Sequence, residues 1–168
     1  MGRHALWLIL RLPAQAACCW RQVNSNVRPR MNLDQSLVDA AIQQALSRFP
    51  SGYAGAAAVR TDTGQILTSV CFDAPNAGAS LCHEAGAYCE ANRIGATVMA
   101  TVCVSRSDPG RPFLILAPCG ICQERLALWG PNVEIAVAVA GEPGAWQKKL
   151  LSELQPHYWR NAVTDAGE

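Results

Sequence analysis

Three cysteines set the strongest constraint on how this chain can fold. Cys82 opens the run Cys82-His83-Glu84, and 37 positions further on Cys119 opens Cys119-Gly120-Ile121-Cys122, directly after Pro118. Each site falls at a predicted helix start. The stretch from Cys82 to Ile94 lacks Pro, is rich in Ala and ends at Gly95, while the stretch from Cys119 to Trp129 follows Pro118 and closes on Gly130-Pro131. Cysteines at i and i+3 in a first helical turn point to the same side, so Cys119 and Cys122 can bind one metal ion, with a third thiolate from Cys82. Helix N-termini favour the thiolate through the macrodipole, which lowers the cost of gathering three negative sulfurs. A fold that uses these residues must bring two helix starts side by side.

The rest of the pattern is compatible with that demand. Leu33, Leu37, Ala41 and Ala45, flanked by Val38, Ile42, Leu46 and Phe49, form the apolar stripe of an amphipathic helix started by Asn32 or Asp34 and ended by Pro50-Ser51-Gly52. Ala54 to Arg60 and Gln65 to Phe72 read as a β-hairpin around Thr61-Asp62-Thr63-Gly64. Thr97 to Ser105, Phe113 to Ala117 and Val133 to Ala140 read as further strands, the last one apolar enough to be covered on both faces. Trp146 to Leu154 reads as a closing helix. Helices alternating with strands after an initial hairpin predict an α/β domain: a three-layer α/β/α sandwich with a mixed central sheet.

A chain of 168 residues is the size of one domain with a genuine core. Its formal charge of +1 is an average over two different regions. Residues 1–30 carry five Arg and no acidic residue, so the other 138 carry nine basic and thirteen acidic side chains, a balance of −4. That balance repels a phosphate backbone, and no polymeric nucleic acid is expected as a partner. Ala5 to Leu12 resembles the apolar part of a signal peptide, but Arg11 interrupts it and the run is far shorter than the ~20 residues that span a bilayer. Residues 1–30 are therefore expected to be an extension outside the fold, with Met31 as the natural start and 31–168 as the domain. Neither membrane association nor export is expected, and the location is expected to be cytoplasmic. Cys18 and Cys19 leave the cysteine count with the extension, and a disulfide framework would require export.

The chemistry follows from the remaining cysteines and one acid. Zn²⁺ fits three thiolates, and three protein ligands with an open position describe a catalytic zinc site. Glu84, two residues after Cys82, can reach that open position without being a ligand and can carry a proton between water and substrate. Ligand, spacer, Glu and then Pro-Cys-x-x-Cys is the signature of zinc deaminases, in which Cys can be the first ligand. A structural zinc module would instead need a fourth ligand, for which His83, Cys71 and Cys89 are candidates. Buried, inert cysteines are the third possibility. Cys71, Cys89 and Cys103 are read as core or pocket wall, and His83 as a spacer.

Over roughly residues 33–160 the sequence resembles the cytidine deaminase family. The resemblance rests on Gly55-Ala56-Ala57, Cys82-His83-Glu84, Ala117-Pro118-Cys119-Gly120-Ile121-Cys122 and the ending Glu153-Leu154-Gln155-Pro156, in that order. It implies hydrolytic deamination at C4 of a cytosine ring, with Glu84 protonating N3 and then the leaving amine, so that cytidine or deoxycytidine gives uridine or deoxyuridine and ammonia. It also implies a place in pyrimidine salvage and a homotetramer or homodimer with sites at subunit interfaces, where Trp159 or Tyr158 closes a neighbour's pocket.

Departures from the family concern the substrate. Where the family holds the ribose with Asn-x-Glu, this chain has Cys71-Phe72-Asp73, so Cys71 and Asp73 are the candidate substrate-binding pair. The Arg that often follows the catalytic Glu is Ala85, and the Arg-Gln that follows the last Cys in some members is Gln123-Glu124, which leaves Arg125 as a replacement cation. Blasticidin S deaminase-like enzymes also lack that Arg. A modified cytosine nucleoside or another aminopyrimidine is therefore the alternative substrate.

Overall fold

In a computed structural model the described residues are 33–164. The extension 1–30 and its boundary lie outside them. Helix α1 (Gln35–Arg48) begins at Asp34, whose carboxylate accepts from the Leu37 N–H at 3.2 Å in an N-cap. Strands β1 (Ala54–Thr61) and β2 (Ile66–Ser69) form the expected hairpin, with Gly64 at φ +85 in its turn. Helix α2 (Ala85–Arg93), strands β3 (Val98–Arg106) and β4 (Leu114–Leu116), helix α3 (Gly120–Leu126) and strand β5 (Glu134–Ala138) follow in order. Strand β6 (Trp146–Leu150) and the short helices α4 (Leu151–Leu154) and α5 (Asn161–Thr164) are the last elements among the described residues.

The sheet runs β2-β1-β3-β5-β6 and is mixed, β3 and β5 being its parallel pair. Strand β4 pairs with β3 at Cys103–Ser105, while β5 pairs at Ala100 and Thr101, so both share one edge of β3. Ala54, Ala56 and Ala58 of β1 and Ala100, Val102 and Val104 of β3 face α1, which packs on them through Leu37, Val38, Ala41 and Ala45. Small side chains on the strands let this helix sit close to the sheet. The opposite face takes α2 and α3 through Ala87, Tyr88, Ala91, Cys122 and Leu126, against Val59, Val98 and Ile135. Register shifts between Arg60 and Thr61, whose partners are Ala100 and Val98, so Val98 joins the opposite face from Ala100. The result is the three-layer α/β/α arrangement that the sequence predicts.

One element differs from expectation. Trp146 to Leu150 is a strand and only Leu151 to Leu154 is helical. Gln, Lys and Leu are good helix formers, but β5 presents an open edge, and all five residues Trp146–Leu150 pair antiparallel with Ala138–Glu134. Lys148 fastens the strand to Glu134 at 3.0 Å, and lysines at a sheet edge discourage further pairing.

Candidate metal centre

The Cys82 and Cys119 sulfurs lie 3.5 Å apart, and the Sγ atoms of Cys82, Cys119 and Cys122 all lie within 4.8 Å of one another. Four ligands arranged tetrahedrally at Zn–S ~2.3 Å would stand about 3.8 Å apart, so the three sulfurs suit one Zn²⁺. Two elements set this geometry locally. Cys119 is the N-cap of α3, its carbonyl accepting from the Gln123 N–H at 2.8 Å, and the Gln123 side chain ties back to the Pro118 carbonyl at 2.8 Å. Cys82 stands one turn before α2, its carbonyl accepting from the Ala85 N–H at 3.1 Å. The Trp129 indole N–H donates to the Ala96 carbonyl at 3.1 Å, and its ring meets Tyr88 of α2 edge-on at 5.9 Å. These contacts hold the two helices side by side.

The three thiols are shifted in different directions by their surroundings. Burial and the neighbouring Cys119 push the Cys82 thiol up, and burial with the charge of Glu84 drives Cys122 strongly up. Cys119 goes the other way: burial opposes it, but hydrogen bonds from the Cys122 backbone, the Cys82 and Cys122 thiols and the Ile121 backbone pull it below the ordinary value. Arg125, the replacement cation that the sequence offers, approaches Cys122 Sγ with Nη1 at 4.0 Å.

Glu84 is 4% exposed and lines, with Cys82, His83 and Cys119, an open cavity of about 360 Å³. Cys71, Asp73, Cys103 and Leu116 form other parts of its wall. Cys71 Sγ donates to Asp73 Oδ2 at 3.4 Å, and burial, then Asp73, raises the Cys71 thiol. Burial lifts Cys103 far above the thiol range. His83 turns away from the sulfurs: its Nε2 meets the Tyr53 hydroxyl at 2.9 Å, over Gly55, where any Cβ would run into both groups. Burial lowers His83, with the charges of Glu84 and Asp73 opposing.

Cys89 departs from expectation. It is exposed, because α2 faces the sheet with Ala87, Tyr88 and Ala91 and turns position 89 to solvent. Trp159 is 62% exposed, stacks edge-on with Tyr158 at 5.8 Å and is not part of the wall of its own chain's cavity. Sequence reasoning missed Ser69, whose hydroxyl accepts from the Ala87 N–H at 2.9 Å and donates to the His83 carbonyl. The only local signal was Gly86, a glycine inside a helix, where a Cβ would stand 2.9 Å from Ser69 Cβ.

The chain is 40% identical to a cytidine deaminase from Bacillus anthracis whose crystal structure it matches with a TM-score of 0.73, covering 79% of this chain and 93% of that one. The chain belongs to the cytidine deaminase family. A blasticidin-S deaminase from Bacillus cereus is 27% identical to this deaminase over 134 residues, 76% of this chain and 94% of that protein. A cytidine deaminase from Burkholderia pseudomallei, at 20% identity and a TM-score of 0.59 over 74% of this chain and 98% of its own, shares the fold. No family model matches the sequence. The cluster of Cys82, Cys119 and Cys122 is consistent with the zinc site of this family, and the protein is a deaminase-family hydrolase. Among the described residues, no helix is long and apolar enough to cross a membrane.

Proposed function

We propose that this deaminase hydrolyses cytidine or deoxycytidine to uridine or deoxyuridine and ammonia. The observation that carries this reading is Glu84, a carboxylate almost withdrawn from solvent that lines one cavity with the Cys82 and Cys119 sulfurs. Cys82, Cys119 and Cys122 would hold a Zn²⁺ ion, which would supply an acidified water as the nucleophile for C4 at neutral pH. Glu84 is the catalytic residue: its carboxylate carries one proton of the attacking water to N3, then carries the proton of the hydroxyl added at C4 to the amine, which departs as ammonia. Asp73 accepts a sugar hydroxyl, with Cys71 beside it as a weak donor. Cys103 and Leu116 wall the ring from water.

The active unit is a homotetramer or homodimer in which Trp159 of one copy closes a neighbour's cavity; its exposure away from its own cavity supports this. The enzyme works in cytoplasmic pyrimidine salvage on free nucleosides and not on nucleic acid, with residues 1–30 outside the catalytic domain.

A second reading, deamination of a modified cytosine nucleoside, is favoured by the Bacillus cereus relative and by Ala85 after Glu84. Ammonia release across cytidine, deoxycytidine, cytosine and blasticidin S separates the two. Turnover of cytidine or deoxycytidine above the others supports the first reading. Activity confined to blasticidin S or to the free base overturns it, and zinc with no solvent ligand and no ammonia from any of them would point to a structural metal module.

A further inference from the structure

Glu84 holds two positions at once: it lines the cavity, and it is the N-cap of α2. Its side chain makes no capping hydrogen bond. An N-cap side chain ordinarily turns back to the N–H of the second or third helical residue, here Gly86 or Ala87, and a carboxylate there gains further from the helix dipole. Such a bond would draw Glu84 toward its own helix and away from a reacting molecule. The Ala87 N–H is already engaged, because it donates at 2.9 Å to Ser69 Oγ, 18 positions earlier at the end of β2.

The Ser69 hydroxyl spends its own proton on the His83 carbonyl, in the residue between Cys82 and Glu84. One side chain therefore grips both the entry to the helix and its first turn. The close approach depends on Gly86, where a Cβ would lie 2.9 Å from Ser69 Cβ. Gly86 does not have positive φ, so room for the strand, and not backbone conformation, is what glycine provides there.

We infer that Ser69 is a positioning residue that caps α2 in place of Glu84 and so leaves the Glu84 carboxylate in the cavity. The inference rests on the reading of Glu84 as proton carrier. Without the hydroxyl, the Ala87 N–H loses its acceptor, and the Glu84 carboxylate folds back onto its own helix to replace it. Zinc ligation does not depend on this exchange, since Cys82 precedes the capped turn.

The test uses the full-length, zinc-loaded chain as S69A and S69T. S69A is expected to lose kcat by roughly tenfold or more with KM within about twofold, and S69T, which keeps a hydroxyl, to hold kcat within about threefold of wild type. The Co²⁺-substituted proteins should share one absorption spectrum, showing an unchanged ligand set. A crystal structure of S69A should place a Glu84 oxygen within hydrogen-bond reach of the Ala87 N–H. If S69A does not fold, S69C, slightly larger and only a weak donor and acceptor, carries the same expectations. Wild-type kcat in S69A, an equal loss in S69T, an altered Co²⁺ spectrum or a Glu84 that stays in the cavity would each overturn the inference. If wild type deaminates none of the substrates, the proposed function fails, and the S69A crystal structure still decides the capping exchange.

Discussion

Cys82 and Cys119 meet with their sulfurs 3.5 Å apart, although 37 positions separate them in the chain. With Cys122 inside the same 4.8 Å limit, they form a donor set that needs little rearrangement to take a metal ion. Wild type should contain one zinc per chain by elemental analysis. C82A, C119A and C122A should each lose it, because two thiolates alone leave an incomplete site. Full zinc occupancy in any of the three would remove that cysteine from the ligand set.

Glu84 should be separable from metal binding. E84Q keeps the shape of the side chain but not its basicity, so it should retain zinc while turnover falls by a factor on the order of 10² or more. Steady-state ammonia release measured beside metal content distinguishes this from a loss of zinc. Unchanged turnover would sink the proton-carrier role.

Arg125 lies 4.0 Å from the Cys122 sulfur and offsets part of the charge of a tris-thiolate site. R125A should weaken zinc binding by about 10- to 100-fold, as loss of groups that support metal ligands commonly does. Competition with a chromophoric chelator reads this directly. An affinity equal to wild type would show that the contact is incidental.

Asp34 caps α1 and also meets Arg60 at 2.8 Å. The Ser36 hydroxyl holds its carboxyl below the ordinary value; burial opposes this, and the Leu37 N–H, Arg60 and the Ser36 backbone assist. A carboxyl lowered by folding stabilises the protein above its unfolded pKa, and that contribution disappears as pH falls through the lower folded value. D34A should cost about 1 kcal/mol near neutral pH and progressively less in acid. Thermal unfolding of both proteins from neutral pH down to the carboxylate range tests this; a deficit that does not shrink in acid would assign the loss to packing instead of charge.

Much of the fold was legible where its causes are local. The α1 stripe ending at Pro50-Ser51-Gly52, the turn at Gly64 and the helix starts near Cys82 and Cys119 all follow from residues within a few positions of one another. Trp146 to Leu150 was misread because its helix-forming residues are overruled by the open edge of β5, a partner that a local window does not contain. Cys89 was misplaced for a related reason, since which side of α2 meets the sheet is set by packing of Ala87, Tyr88 and Ala91.

By itself the sequence determined the candidate metal donors, the nearby acid and most of the order of helices and strands, because spacing within a turn and cap chemistry are short-range effects. Only the tertiary structure decided that the two helix starts converge to sulfur contact and that His83 turns to Tyr53. It alone placed the Ser69 hydroxyl where a Glu84 cap would otherwise form. The last of these depends on how closely strand β2 and helix α2 approach. That distance is set by glycines and alanines at the crossing, such as Gly86 against Ser69, and by no residue acting alone.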